Sequence, residues 1–333
     1  MKKILGLILL ALLVTSCYKD YVKDYTNAQG LPNTTIYFPY QYDVRTVVVG
    51  EGMNYIKVGV TLGGTMNNVI DRTANYTLDN TLITPAILAS MKTGATYIKN
   101  AVANTTTLLP MPVAYYSLSN ASQMIIHKGL FEGDVTLSLD STKFLADPLT
   151  LNGNYCIPFW IQNAQSDSLI QKMRSNVLCV KYENMLFGNY WHGGVTVVKD
   201  ATGNTVRTIS YPTTIPVPEA KIWILKTTAP WDLIVNGYSD QVTTKAGGEF
   251  KITLNGTNVV ISSVTGSTNV VLPDGVSTFN KPKLLQDRKL FLNYKYANAD
   301  GSTSYVKDTL TFRNRIQDGI NIWQDENPAH YLP

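Results

Sequence analysis

The chain has 333 residues, with 28 basic against 24 acidic side chains and only 16% charged residues in all. A balance this near neutrality, with no clustered basic stripe, excludes a nucleic-acid-binding surface. Abundant Tyr, Thr and Val, and the lack of long Glu, Lys and Leu stripes, exclude a helical bundle and point to β structure.

In chain order, Lys2 and Lys3 precede an apolar run from Ile4 to Leu13. About ten residues is half of what a hydrocarbon core requires, so the run reads as an export signal and not a membrane span. It ends in Val14-Thr15-Ser16-Cys17, which resembles the bacterial lipobox. The expectation is a signal peptide over residues 1–16 and a lipidated N-terminus at Cys17. Residues 17–33 have no sustained period and end in a Gly-Leu-Pro-Asn turn signal, which suits a tether. The 317 residues after the signal are enough for two domains, each with its own core.

Short strands follow over residues 34–182. In 55–62, Ile56, Val58, Val60 and Leu62 alternate with polar or small residues, a period of two with one apolar face. Thr84-Pro85 is the best local helix start, an N-cap followed by Pro at the first helical position. Alternation returns in 133–140, and apolar runs at 155–162 and 177–182 bring the count to about eight strands. That spacing predicts a β-sandwich. Cys156 and Cys179 sit in the last two runs. They read either as small buried hydrophobes or as a disulfide, which spacing alone does not decide.

The chain starts a second series at Gly188-Asn189-Tyr190-Trp191-His192-Gly193-Gly194. Turn signals at Asp200–Asn204, Asn255-Gly256 and Asn298–Gly301 join successive apolar runs into hairpins. Over 183–333 they predict an antiparallel meander closing into a barrel.

No catalytic or cofactor motif stands in the sequence. His127, His192 and His330 lie at no zinc-ligand spacing from one another or from a Cys. There is no H-E-x-x-H, G-x-S-x-G, phosphate loop or dinucleotide fingerprint. The acids around Trp323 (Asp318, Asp325 and Glu326) lack the alternating oxygens of a calcium loop. The expectation is therefore no metal, no cofactor and no enzyme. Five Trp and 20 Tyr stand out instead, since flat aromatic faces with a polar handle suit the C–H side of a sugar ring. Trp223, in an all-apolar run, reads as core. Trp231 in a break between strands, Trp191 and His192 beside two glycines, Trp160 on the second face of its strand, and Trp323 in the acidic tail are the candidate ligand contacts.

The segments IYFPYQYDVRTVVVGEG, GVTLGG, DRTANYTLD, LPMPVAYYSLSN and LADPLTLNGNYCIPFWI resemble the N-terminal domain of Bacteroidetes surface lipoproteins of unknown function. In some relatives that domain precedes a chitinase-like endo-glycosidase. FGNYWHGG and VKDTLTFRNRIQDGINIW resemble the C-terminal domain of the non-enzymatic members. The resemblance implies an immunoglobulin-like sandwich followed by a lipocalin-like or related barrel. It also implies a place in a glycan-utilisation locus: an outer-membrane, exterior-facing lipoprotein that binds carbohydrate beside a porter and its binding subunit. The other reading is a structural or adhesive surface protein with protein partners.

Overall fold

The computed structural model describes residues 33–52, 55–212, 220–238, 241–242, 249–267 and 270–324. The expectations for residues 1–16, Cys17 and the tether to residue 32 lie outside the described residues, as do His330 and the acids Asp325 and Glu326.

The first half is a two-sheet sandwich. Its strands are β1 (Thr35–Tyr37), β2 (Tyr42–Val49), β3 (Tyr55–Gly63), β4 (Arg72–Leu78), β5 (Leu109–Pro110) and β6 (Tyr116–Leu118). They continue with β7 (Gln123–Ile126), β8 (Glu132–Leu139), β9 (Tyr155–Ala164), β10 (Ser168–Leu169) and β11 (Ser175–Asn184). One sheet runs β10-β1-β3-β8-β6 and the other β2-β11-β9-β4-β7, with β5 paired to β9. The two sheets pack face to face around one core. Period-two patterning drives the assembly. Ile56, Val58, Val60 and Leu62 of β3 meet Ile157, Phe159, Ile161 and Val180 of the opposite sheet in one core, while Tyr55 and Lys57 face solvent.

Two helices, α1 (Pro85–Thr93) and α2 (Thr96–Ala101), cover the outer face of the second sheet. Thr84 caps α1, its hydroxyl accepting from the Ile87 amide at 3.3 Å. Leu88 and Met91 of α1 and Ile98 of α2 form a second core over Val44, Val177, Cys156 and Cys179. The two cysteines are directly opposed on β9 and β11 and joined by a disulfide, with Cα atoms 4.0 Å apart. That resolves the alternative left open by spacing. A third helix, α3 (Ser141–Ala146), sits over the end of β8 and is capped by Asp140.

The second half is a barrel. It begins with β12 (Gly188–Lys199), β13 (Thr205–Tyr211), β14 (Ile222–Ala229) and β15 (Asp232–Val235). A two-residue ribbon, β16 (Gly237–Tyr238) with β17 (Gln241–Val242), stands apart from it. Then come β18 (Phe250–Asn255), β19 (Asn258–Ser263), β20 (Val271–Pro273), β21 (Ser277–Phe279), β22 (Lys289–Ala297), β23 (Thr303–Gln317) and β24 (Ile320–Ile322). β12 pairs with β14 on one edge and with β23 along its whole length on the other, closing an eight-stranded barrel. Further along, β12 pairs with β13 on the first edge, and Gly194 sits there between Tyr211 of β13 and Asp308 of β23. The Gly194 φ is +131°, and a Cβ there would collide with the Lys307 carbonyl of β23. Trp223, Leu225, Phe250, Ile252, Leu292 and Leu310 fill the interior, so it is packed and not a channel.

The two halves are locked by one buried ion cluster. Glu51, in the β2–β3 loop of the sandwich, is 4% exposed. Arg315 of β23 grips it bidentately, Nη1 to Oε1 at 2.9 Å and Nη2 to Oε2 at 3.0 Å. Arg288 adds its Nη2 at 2.7 Å from Oε1, while its Nη1 donates to the Met185 carbonyl at 2.6 Å. Burial by itself would push the Glu51 carboxyl up, but Arg315 and then Arg288 overcome it and hold the group below its ordinary 4.5. The linker is equally buried. Asn184 donates to the Pro230 carbonyl at 2.7 Å, and its amide N–H bonds Thr227 Oγ1.

Removing Glu51 would leave two guanidinium groups buried without their counter-charge. Glu51→Ala is expected to cost about 3–5 kcal/mol in urea unfolding near neutral pH. Because its folded pKa is lowered, the Glu51 contribution is complete above about 4.5 and is lost as pH falls through the lowered value. The wild type should therefore lose more stability on acidification than the variant does.

Candidate functional site

The five aromatic and imidazole candidates go to different places. His192 points into the barrel and is 1% exposed. Its ring stacks on Trp223 at 4.1 Å and 5°. Its Nε2 lies 2.8 Å from Asp308 Oδ1, and Tyr294 donates to Asp308 Oδ2 at 2.6 Å. Burial pushes the Asp308 carboxyl up, against the pull of His192 and Tyr294. This polar knot is sealed in the core, which corrects the expectation that His192 contacts ligand: period-two alternation on β12 turns residues 190 and 192 inward and 189 and 191 outward. Trp223 is fully buried, as expected of core.

Trp160 lies on the outer face of the sandwich, half-buried, with the Arg174 guanidinium 4.4 Å over its ring. Arg174 is itself held by the Ile161 and Gln162 carbonyls, so this ring is covered. Trp231 is 46% exposed in the β14–β15 turn. It stands at the opposite end of β14 from Ile222, the partner of Trp191. Neither ring joins another candidate.

Trp191 lies on the outer face formed by β12, β23 and β24, and Trp323 comes directly after β24. A bulge between Asn189 and Tyr190 leaves Arg313 unpaired on β23 and turns both Arg313 and Asn314 outward. Arg313 lies 4.9 Å over the Trp191 ring. Asn189 Nδ2 donates to Asn314 Oδ1 at 3.1 Å, and Asn314 Nδ2 donates to Asn321 Oδ1 at 2.6 Å. This ladder of three amides runs across the three strands, and Trp323, 56% exposed, follows Asn321 at the end of β24. Aromatic faces beside amides that donate and accept are the chemistry that a sugar ring with its hydroxyls meets.

The same face runs into a cleft of about 610 Å³ between the two domains, a size ordinary for small-ligand sites. Asn189 belongs to both the ladder and the cleft. The sandwich contributes Tyr97 and Asn100 of α2, Asn104, and the Lys181–Glu183 pair of β11, 2.6 Å apart. The barrel contributes Ile224, Lys226, Ile316, Gln317 and Asp318. Asp318 also fastens the domains, its Oδ2 accepting from the Thr46 amide at 3.2 Å, while Gln317 donates to the Thr46 carbonyl. Gly319, at φ +82°, lets this turn pack directly on the Tyr97 ring.

Sequence reading missed the amides. Asn189 and Asn314 lie inside strands, where Asn is depleted, and that anomaly was the one local signal available. The cleft residues carry no sequence signal, because the cleft joins α2 to strands that are distant along the chain, from β2 to β23.

Among the described residues, no group of three or more His, Cys, Asp or Glu is placed to hold a metal ion. Comparison with known proteins adds the following. A family model described as an N-terminal domain matches residues 31–168, less than half of the chain. No curated protein matches. A structure of unknown function from Bacteroides ovatus superposes with a TM-score of 0.63 at 20% identity, covering 89% of this chain and all of its own. A second B. ovatus structure of unknown function gives 0.45 at 11% identity, covering 89% and 98%. An auxiliary nutrient binding protein from Bacteroides thetaiotaomicron gives 0.39 at 17% identity, covering 91% and 97%. The first likeness shows that the two-domain fold is shared; the other two are too distant to add to it.

Since His192 holds Asp308 in the core, His192→Ala is expected to cost about 3 kcal/mol in thermal or urea unfolding, leaving the buried carboxyl with Tyr294 but without its imidazole partner. Trp323→Ala, on an exposed ring, should change stability by less than about 0.5 kcal/mol.

Proposed function

We propose that the protein is a non-catalytic glycan-binding lipoprotein of the cell surface, which captures oligo- or polysaccharide on the outer barrel face for an outer-membrane uptake system. The observation that carries this is the Asn189–Asn314–Asn321 ladder with exposed Trp323 following its last strand, while Trp191 at the other end is covered by Arg313 as Trp160 is by Arg174. An exposed ring such as that of Trp323 covers the apolar face of a pyranose, and the amides bond its hydroxyls. Single sites of such shallow design bind weakly, and many copies tethered on one surface compensate by raising the effective concentration. The Cys156–Cys179 disulfide supports export to an oxidising compartment. In this reading Cys17 carries the lipid, and the chain works beside a porter and its binding subunit.

Affinity electrophoresis tests the binding. A soluble form beginning at residue 27 keeps every described residue. It should be retarded by at least one plant, host or microbial polysaccharide, and Trp323→Ala or Asn314→Ala should weaken that retardation several-fold without unfolding. Labelled fatty acid fed to cells should enter the full chain and fail to enter Cys17→Ser.

One observation favours a second reading, a surface protein with protein partners. Val260, Val276, Leu272 and Phe291, on β19 to β22, are each 40% exposed or more on the barrel wall. Capture of an outer-membrane protein that is lost in Phe291→Ser, without retardation by any polysaccharide, would favour it.

A further inference from the structure

The interdomain cleft brings together amide side chains with bonding capacity to spare. In the hollow between the β12–β13 and β22–β23 turns, the polar groups are spent on their own turns. Asp200 accepts from Thr202 and Asn204, Asp300 accepts from Ser302, and Asn298 donates to Ser302 and Ser304. In the hollow along β2 and β3, Asp43 is paired with Arg45 and Asp134 with Lys57, while Asn176 donates to the Tyr40 carbonyl and keeps its Oδ1 unbonded. In the cleft, the side chains of Asn100, Asn104 and Lys226, all exposed, make no hydrogen bond or ion pair among the described residues, although all three line it.

The lining also states what kind of ligand fits. Its formal charges come in both signs: Lys181 is bonded to Glu183, and Lys226 and Asp318 bring one charge each from the barrel. No cluster of one sign is present to hold a phosphate, a sulfate or a cation. The spare groups are chiefly amides, which donate and accept together as sugar hydroxyls do. Tyr97, Phe187, Ile224 and Ile316 give the apolar surface that the C–H faces of a sugar require.

Resting on the glycan reading, we propose that this cleft is a second part of the binding site and that it takes a neutral saccharide segment, continuous with the chain laid along the amide ladder. Asn189 is the junction, since it both lines the cleft and starts the ladder. The site exists only because the domains are joined: α2 and β11 form one wall, β14 and the β23–β24 turn the other. The Glu51 clamp and the Asp318–Thr46 bond set the width between them, so the cleft is formed before ligand arrives, and little ordering cost attends binding.

The test is titration calorimetry with the soluble form beginning at residue 27, using arabinoxylan, galactomannan, xyloglucan and yeast mannan as neutral probes and polygalacturonate as the charged one. The wild type is expected to bind a neutral polymer. Asn100→Ala/Asn104→Ala, both exposed, should raise Kd about tenfold with Tm unchanged, the loss of one or two hydrogen bonds. Lys226→Ala should raise it less. Neutral binding that is lost in Trp323→Ala and unchanged in the double variant would overturn the cleft while leaving glycan capture standing. Binding of polygalacturonate alone would overturn the neutral class. Binding of none of the five would overturn both the cleft and the glycan reading on which it rests.

Discussion

A single carboxylate, that of Glu51, is what joins the two β domains into one continuous surface. It sits in a loop of the sandwich, and both guanidinium groups that neutralise it come from the barrel. An apolar contact of the same area would tolerate sliding and rotation. A bidentate arginine–carboxylate pair fixes distance and angle together, and a second arginine tied to the linker carbonyl of Met185 removes the remaining freedom. The desolvation of three charges is severe, so the cluster is better understood as a positioning device than as a source of stability.

What that device positions is the cleft and the face that leads into it. The walls of the cleft come from different domains, and several of its residues also hold the domains together. Asp318 and Gln317 bond the Thr46 backbone, and Tyr97 carries the weight of Gly319 while donating to Asp43 at 2.7 Å. Groups that hold the domains together and groups that only line the cleft are thus interleaved on the same few elements. A ligand spanning the cleft would touch both domains at once, and its recognition would depend on an angle that neither domain holds alone.

The barrel interior shows the opposite use of polar groups. The knot of His192, Asp308 and Tyr294 under Trp223 is enclosed by apolar side chains. Each of the three polar groups has a partner within the knot, and no solvent reaches it. Its demand for satisfied partners selects one packing of the core where a purely aliphatic interior would allow several. The residue pair Trp191-His192, adjacent in sequence, therefore divides between the two roles. One ring faces outward under Arg313 and the other inward against Trp223, because successive side chains of a strand point to opposite faces.

The sequence by itself determined the two all-β domains, most strand positions, the start of α1 and the core role of Trp223. Each of these rests on local physics: alternation of apolar residues, turn dipeptides, and an N-cap followed by proline. It also marked the aromatics that reach the surface at positions 231 and 323. Only the tertiary structure decided which of them act together. It paired Cys156 with Cys179, sent His192 into the core, covered Trp160 with Arg174, and left Trp231 at the far end of its strand. It also assembled the amide ladder from residues 189, 314 and 321 and the cleft from α2, β11, β14 and the β23–β24 turn. The reason is physical: strand pairing and domain docking join residues far apart in the chain, and no period or motif along a single strand encodes the register and angle at which they meet.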